Sequence, residues 1–462
     1  MDTLHQFLLV LRDWVWSPPF LFLIVGTGIY LTIAFRGVQF RYLFYGLRLL
    51  FFPRNDCKHT KGDLSQFRAL MTALAGSVGT GSIAGVSTAV ITGGLGALFW
   101  MWVTGLLGMA TKFAEATLAV KYRESDLDGN MCGGPMYYIE KGLNSRFLGG
   151  FFALATAGAV LSTGNMVQVN SIAQAAYSLC ELPHIWTGVI CALMTALVIL
   201  GGVQGIGRVA GVLVPFMAFI YLGGGVLVLF LNYTQIPQAL SLIVKSAFTG
   251  QAAFGGFAGS TIMLAIQMGV SRGIFSNEAG LGSSAIADAS ARVDVPGRQA
   301  VVSMVGTFLS TIVICTITGL VLAITGVVGT TTPDGTLVNG VPLAMEAFES
   351  AFFGGQFIVT IGLIFFAYST LLAWAYYGER SIAYLFGVRY IPVYRVLYIA
   401  VILPASVMQL GMVWALADVL NAFMAAPNLF ALIMLAPVVR KELKAFSQQV
   451  DREEELSLVS QD

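Results

Sequence analysis

One stretch constrains this chain more than any other: Phe67 to Gly96, FRALMTALAGSVGTGSIAGVSTAVITGGLG. It is apolar and long enough to cross a bilayer, which takes about 20 residues. Its middle nevertheless reads Ala75-Gly76-Ser77-Val78-Gly79-Thr80-Gly81-Ser82. Glycine is the poorest helix former after proline, and unwound backbone survives at membrane depth only where protein or a cavity surrounds it. The stretch therefore reads as a broken membrane helix whose freed peptide groups face something polar. A half-helix N-terminus there suits an anion, and loose carbonyls suit a cation. The competing reading is that the glycines merely let helices pack closely.

Composition agrees with a membrane setting. The 462 residues are 57% hydrophobic and 11% charged, with mean hydropathy +0.80, whereas soluble domains run near ~25% charged. A net charge of +1 says nothing about nucleic acid, no basic tract appears, and no nucleic-acid partner is expected. Cys57, Cys132, Cys180, Cys191 and Cys315 form no CxxC pair, and His5, His59 and His184 are dispersed, so neither a metal cluster nor a disulfide framework is indicated. No cleavable signal peptide is evident.

Eleven apolar segments of spanning length are expected, at about 17–35, 67–95, 96–121, 147–180, 185–203, 208–231, 253–290 with an interruption, 299–327, 352–386, 392–414 and 418–439. Lys and Arg gather in alternate loops, beginning with Arg36, Arg41, Arg48, Arg54, Lys58, Lys61 and Arg68. That bias puts the N-terminus outside and the C-terminus in the cytoplasm. Residues 37–53 read as an amphipathic helix on the inner surface or packed under the bundle. The loops 232–252 and 328–350 end in amphipathic patterns, and the second, with Asp334, Glu346 and Glu349, suits a cap over an outer vestibule. The tail after Lys441 is polar and expected to fray.

Segments three to six and eight to eleven recur at a common offset, so segment two pairs with segment seven. Segment seven is expected to break at Ala265-Ile266-Gln267-Met268-Gly269-Val270-Ser271-Arg272-Gly273. Five crossings per half make the halves inverted, and matching broken helices in inverted halves point to a transporter's central site. The resulting division is 1–66 (extra helix and surface helix), 67–252 and 253–440 (the two repeats), and 441–462 (tail).

For a hard cation such as sodium, oxygen ligands are wanted. Segment nine offers Phe366-Ala367-Tyr368-Ser369-Thr370, and segment two the carbonyls of Ala75 and Val78. Back-bonding of Ser369 and Thr370 to the preceding turn is the alternative. For a zwitterion, the amides of Thr80 and Gly81 suit a carboxylate, and freed carbonyls near Gln267 to Gly269 suit an ammonium. Asn165 and Gln168, three apart, share a helix face and serve either a ligand or interhelical hydrogen bonds. Of the intramembrane charges, Lys112 and Glu115 are spaced to pair with each other. Glu278 is a gate, a proton-sensitive group or a partner for Arg272. Trp374 walls the pocket or packs. A channel lacks its repeated filter or charged ring here. An enzyme lacks GxSxG, HExxH or clustered histidines.

The chain also resembles the alanine or glycine:cation symporter family of sodium-coupled bacterial and archaeal amino-acid carriers. Gly93-Gly94-Leu95-Gly96-Ala97-Leu98-Phe99-Trp100-Met101-Trp102 is similar to the family signature, and GNMCGGPMYYIEKGL from Gly129, SNEAGLGSS from Ser276 and FAYSTLLAWAYYGER from Phe366 resemble family stretches. The resemblance implies an all-α polytopic membrane protein with a LeuT-like 5+5 inverted repeat plus one extra N-terminal helix, eleven transmembrane helices in all. It implies sodium-coupled uptake of a small neutral amino acid, alanine or glycine, by alternating access, with proton coupling as the alternative. Sodium would be the coupling ion, with no other cofactor, no enzymatic activity and no obligate protein partner, in the bacterial inner membrane. It places sodium on Ala75, Val78, Phe366, Ser369 and Thr370. It places the amino acid on Ala75, Ser77, Thr80, Gly81, Asn165, Gln168, Met268, Gly269 and Trp374. Ser82 departs from the family pattern, where Asn is expected.

Overall fold

In the computed structural model the described residues are 2–51, 62–126, 128–249, 261–332 and 335–459. Pro53, Arg54, Cys57, Lys58, His59, Lys61 and Asp334 lie outside them, as does the head of the seventh segment at 253–260.

Among the described residues the regular structure is helical apart from one short antiparallel hairpin, Glu124–Ser125 with Met131–Cys132, and two isolated bridges. In order, the helices are α1 (Asp2–Val15), α2 (Pro18–Ala34), α3 (Val38–Phe51), α4 (Gln66–Ser77), α5 (Ala84–Gly93), α6 (Gly96–Lys121), α7 (Pro135–Leu143), α8 (Arg146–Ala159), α9 (Val167–Cys180) and α10 (His184–Ile199). They continue with α11 (Gly202–Leu231), α12 (Ile236–Thr249), α13 (Ile262–Asn277), α14 (Ala285–Asp288), α15 (Pro296–Thr307), α16 (Thr316–Thr325), α17 (Val341–Ala351), α18 (Gly355–Phe386), α19 (Ile391–Val407) and α20 (Leu410–Val459). Wide π turns at Val160–Met166 and Phe308–Cys315 join α8 to α9 and α15 to α16 without a break. Seven described helices are long and apolar enough to cross a membrane, or eight if the pair Gln6–Val15 and Pro18–Ala34, bent by 45°, counts as one span. The broken second segment and the 16-residue α10 fall short of that length.

The second segment breaks where its sequence says it should. α4 stops at Ser77, a single 3-10 turn covers Thr80–Ser82, and α5 begins at Ala84. The glycines serve close approach as well. A Cβ on Gly76 would lie 2.5 Å from Tyr377 Oη, one on Gly79 2.4 Å from Thr370 Oγ1, and one on Gly81 2.7 Å from Phe275 Cδ1. Both readings of this stretch therefore hold at once: it is unwound, and it is clasped by α18 and α13.

The seventh segment corrects the expectation. α13 runs unbroken through Met268 and Gly269 to Asn277. Gly269 and Gly273 are packing glycines: their Cβ positions fall 2.5 Å from Trp100 Cβ and 3.2 Å from Thr104 Cβ on α6. The break comes at residues 278–284, where Glu278, Gly280 and Gly282 adopt φ of 58°, 92° and 77°. That left-handed region is easy for glycine and uncommon for glutamate.

The tail is a second correction. α20 continues well past Lys441 to Val459. Phe446 packs its ring on Tyr42 and Tyr45 of α3, Ser447 bonds Tyr42, and Glu453 pairs with Arg298 at 2.7 Å. Helix α3 in turn lies on α15: Gly46 sits against Val301 and Val305, while Phe40 and Phe44 stay exposed. The polar tail is thus docked by aromatic stacking and buried charge. In the loops 232–252 and 328–350, α12 and α17 are the amphipathic helices expected, and Glu346 and Glu349 line a surface cavity with Ser178 and Gln356.

Candidate binding site at two helix breaks

The first break is held across to α18 by one hydroxyl. Thr370 Oγ1 donates to Ala75 O (2.8 Å) and contacts Phe366 O (3.0 Å), and Ser369 Oγ donates to Phe366 O at 2.9 Å. Four oxygens from Ala75, Phe366, Ser369 and Thr370 are thereby gathered at one buried place. Val78 closes α4 and leaves helical geometry (φ −85°, ψ 80°), turning its carbonyl off the helix ladder. The back-bonding alternative for Ser369 and Thr370 is also present, because both hydroxyls reach Phe366 O; Thr370 additionally crosses to the broken segment. This is a hard-oxygen set without sulfur or nitrogen donors apart from a long Ser369–Met217 Sδ contact of 3.6 Å, the chemistry a hard monovalent cation wants.

Beyond the break, Gln168 Oε1 accepts from the Thr80 amide at 3.4 Å while Gln168 Nε2 donates to Thr163 O. The amides of Ser82 and Ile83 close on Gly79 O and Thr80 O. Thr80 Oγ1 and Asn165 Oδ1 are fully buried and have no partner. Asn165 and Gln168 face different neighbours: Asn165 Nδ2 donates to Tyr398 O on α19, so this half of its amide has the interhelical role. Ser77 Oγ bonds back to Ala73 O. Ser82 Oγ meets Ser276 Oγ at 3.1 Å and its carbonyl accepts from Thr318. Met268 O lies within the unbroken α13 and also accepts from Ser271 Oγ. Neither Met268 nor Gly269 frees a carbonyl, so the ammonium site expected there lacks its basis.

Trp374 does more than pack. Its indole N–H is shared between Gly76 O (3.2 Å) and Glu278 Oε1 (2.9 Å), which joins the two breaks directly. Its Cβ lies 2.2 Å from where a side chain on Gly164 would begin, so the Trp374 side chain rests directly on the backbone of the π turn. Glu278 also accepts from Ser283 at 2.6 Å. It does not pair with Arg272, which instead forms a buried ion pair with Asp418 on α20 and lies over the Trp414 ring at 4.6 Å. Nor do Lys112 and Glu115 form the expected pair. Glu115 Oε1 accepts from Gly280 N (2.9 Å) and Asn428 Nδ2 (2.7 Å), while Lys112 Nζ makes no hydrogen bond. Asn428, which also donates to Gly280 O, was not singled out from the sequence. An asparagine after Pro427 inside an apolar run was the available signal.

Comparison with known proteins follows this geometry. The chain matches the model of the sodium:alanine symporter family over residues 1–460. It is 49% identical over 441 residues to the sodium/alanine symporter AgcS of Methanococcus maripaludis, covering 95% of this chain and 96% of that one. It is 34% identical over 443 residues to the "Probable sodium/glutamine symporter GlnT" of Bacillus subtilis, covering 95% and 90%. Among solved structures it is similar to MhsT in complex with L-phenylalanine, with a TM-score of 0.58 at 14% identity, covering 83% of this chain and 99% of that one. At that identity the likeness shows the fold alone, and the fold is LeuT-like.

Proposed function

The chain belongs to the sodium:alanine symporter family, a family of membrane transporters and not of enzymes, and from that premise we propose that it takes up alanine or glycine with sodium by alternating access. The observation that carries this reading is the gathering of Ala75 O, Phe366 O, Ser369 Oγ and Thr370 Oγ1 at the break in the second segment. Sodium held there, with the Val78 carbonyl, ties α4 to α18. The amino acid lies alongside: its carboxylate on the Thr80 and Gly81 amides at the start of the second half-helix, its polar contacts completed by Thr80 Oγ1, Asn165 Oδ1 and Gln168. Trp374 walls this space.

The choice of a small neutral amino acid rests on the family and on the similarity to a sodium/alanine symporter. Coupling is a difference in affinity between states, so sodium must strengthen amino-acid binding and the reverse. In this reading the two repeats at 67–252 and 253–440 rock about the breaks, eleven segments cross the membrane, and the C-terminus is cytoplasmic.

A counterflow assay in proteoliposomes with labelled alanine tests the proposal. Accumulation is expected with a sodium gradient and not with a proton gradient alone. Equal accumulation with a proton gradient alone would replace it with the proton-coupled reading.

A further inference from the structure

Far from the two breaks, a cavity of about 520 Å³ lies between the α2–α3 turn and α20. Arg36, Arg41, Arg440 and Lys444 line it, over an apolar floor that includes the buried Phe35 and Leu443. All four basic residues are exposed, and among the described residues none of them forms an ion pair. No carboxylate among the described residues lines the cavity. Glu442, which lies between Arg440 and Lys444 in the chain, is held instead by Lys121 on α6 at 2.5 Å.

The sequence explains why the cations converge. α2 carries no charge from Pro18 to Ala34, and Arg36 is the first charged residue after it. α20 carries none from Val419 to Val439, and Arg440 is the first after that run. The two helices pack against each other, so both apolar runs end beside the same cavity. Lys444 follows Arg440 by four residues and shares its helix face. Arg36 itself adopts φ 55°, a left-handed conformation uncommon outside glycine, which turns the chain sharply into α3. On α3, Tyr42 and Leu49 are buried while Phe40 and Phe44 stay 67% and 79% exposed. A helix with one face on the bundle and aromatic side chains on the other suits a membrane interface.

Four cations without a carboxylate, at the level where two spans end, make a positive pocket in the head-group layer. Basic pockets between spanning helices hold anionic lipid head groups. We propose that this cavity binds the head group of an anionic phospholipid, its phosphate held by Arg36, Arg41, Arg440 and Lys444 and its acyl chains lying against Phe40 and Phe44. The arginine fork matches phosphate oxygens, and the lysine adds a point charge. A soluble phosphate ester shares the anion chemistry, but the exposed rings beside Arg41 select the lipid: they offer apolar surface that only acyl chains can cover. The bound head group ties the α2–α3 turn to α20. This site is independent of the ion and amino acid carried.

Native mass spectrometry of the full chain in a neutral detergent reads the bound lipid directly. The chain is titrated with phosphatidylglycerol or with phosphatidylcholine of the same acyl chains. Wild type is expected to bind phosphatidylglycerol at least tenfold more tightly. Each Lys or Arg beside an anionic lipid contributes roughly fivefold in binding, so Arg41→Gln with Lys444→Gln should weaken phosphatidylglycerol about 25-fold. Arg41→Lys with Lys444→Arg keeps the charge and should stay within about threefold of wild type. Arg146→Gln with Lys245→Gln removes the same charge from residues outside the cavity lining and should also stay within about threefold. Glycerol phosphate at the lipid's concentration should not displace the lipid. Equal affinity for the two lipids, or equal losses in the cavity and control variants, would overturn the proposal. Displacement by glycerol phosphate would assign the cavity to soluble phosphate esters and overturn it as well. Should the cavity variant not fold, the two lipids and glycerol phosphate compared on the wild-type chain decide the matter alone.

Discussion

Thr370→Val removes the hydroxyl that crosses from α18 to the broken second segment and keeps nearly the same volume. In the structure that oxygen lies 2.8 Å from Ala75 O and 3.0 Å from Phe366 O, in a residue 2% exposed. Its loss removes one oxygen from the cation site. A contact between a polar group and a charge contributes about 1.5–3 kcal/mol. At about 1.4 kcal/mol per tenfold, the half-saturating sodium concentration should rise roughly 10- to 140-fold. Ala75 O also loses its donor, which costs about 1–3 kcal/mol of stability for a buried group. Because the two ligands strengthen each other, half-saturation for alanine at limiting sodium should rise by up to the same factor. Initial uptake rates in proteoliposomes, titrated with sodium at fixed alanine and the reverse, read both numbers. Thr370→Ser keeps the hydroxyl and should stay within about threefold of wild type. An unchanged sodium half-saturation in Thr370→Val would remove Thr370 from the ion site and with it the reason for placing the ion at this break.

Three further outcomes are expected. Arg272→Gln leaves Asp418 as a buried uncompensated charge, a loss of about 3–5 kcal/mol that Asp418→Asn in the same chain should largely relieve; thermal unfolding in detergent reads it, and no relief in the double variant would deny the pair its role. Gly81→Ala puts a methyl 2.7 Å from Phe275 Cδ1 and 3.3 Å from Phe275 O, so alanine uptake should fall at least tenfold while Gly150→Ala, with open space around it, stays near wild type; equal rates would show that the contact of the Thr80–Ser82 turn with α13 yields. Outside the spanning helices, burial alone would raise the Asp294 carboxyl, but Arg298 and Gln449 outweigh it and hold it below the usual carboxylate range. A depressed value means its stabilisation is complete above the ordinary carboxylate value of about 3.9 and is lost as pH falls through the lower folded value. Asp294→Asn should therefore flatten the acid-side fall in unfolding temperature below about pH 4, and an unaltered slope would contradict the assignment.

The break in the second segment was legible because a run of glycines and hydroxyls inside a spanning stretch has few other uses. The closeness of Ser369 and Thr370 to the first break was legible because segment nine places adjacent hydroxyls in an apolar helix; their role toward an ion stays a proposal. The break in the seventh segment was misplaced by about ten residues. Gly269 and Gly273 look like helix breakers in sequence, but glycine also permits close approach, and α6 uses them that way. Nothing in the composition separates the two uses; the positive φ of Gly280 and Gly282 does. Lys112 and Glu115 have the right spacing to pair, yet Glu115 is drawn to a backbone amide and Asn428 some 165 and 313 positions away, which no local pattern reports. The docking of the polar tail was hidden for the same reason: Phe446 and Val450 carry its contacts, and they are sparse among charged residues.

An experimental map of the protein in sodium and alanine bears on the central claim most directly. The account predicts an ion ringed by oxygens of Ala75, Val78, Phe366, Ser369 and Thr370, with the amino acid's carboxylate against the Thr80 and Gly81 amides. An ion and amino acid bound elsewhere, with the second segment helical through residues 75–82, would contradict it.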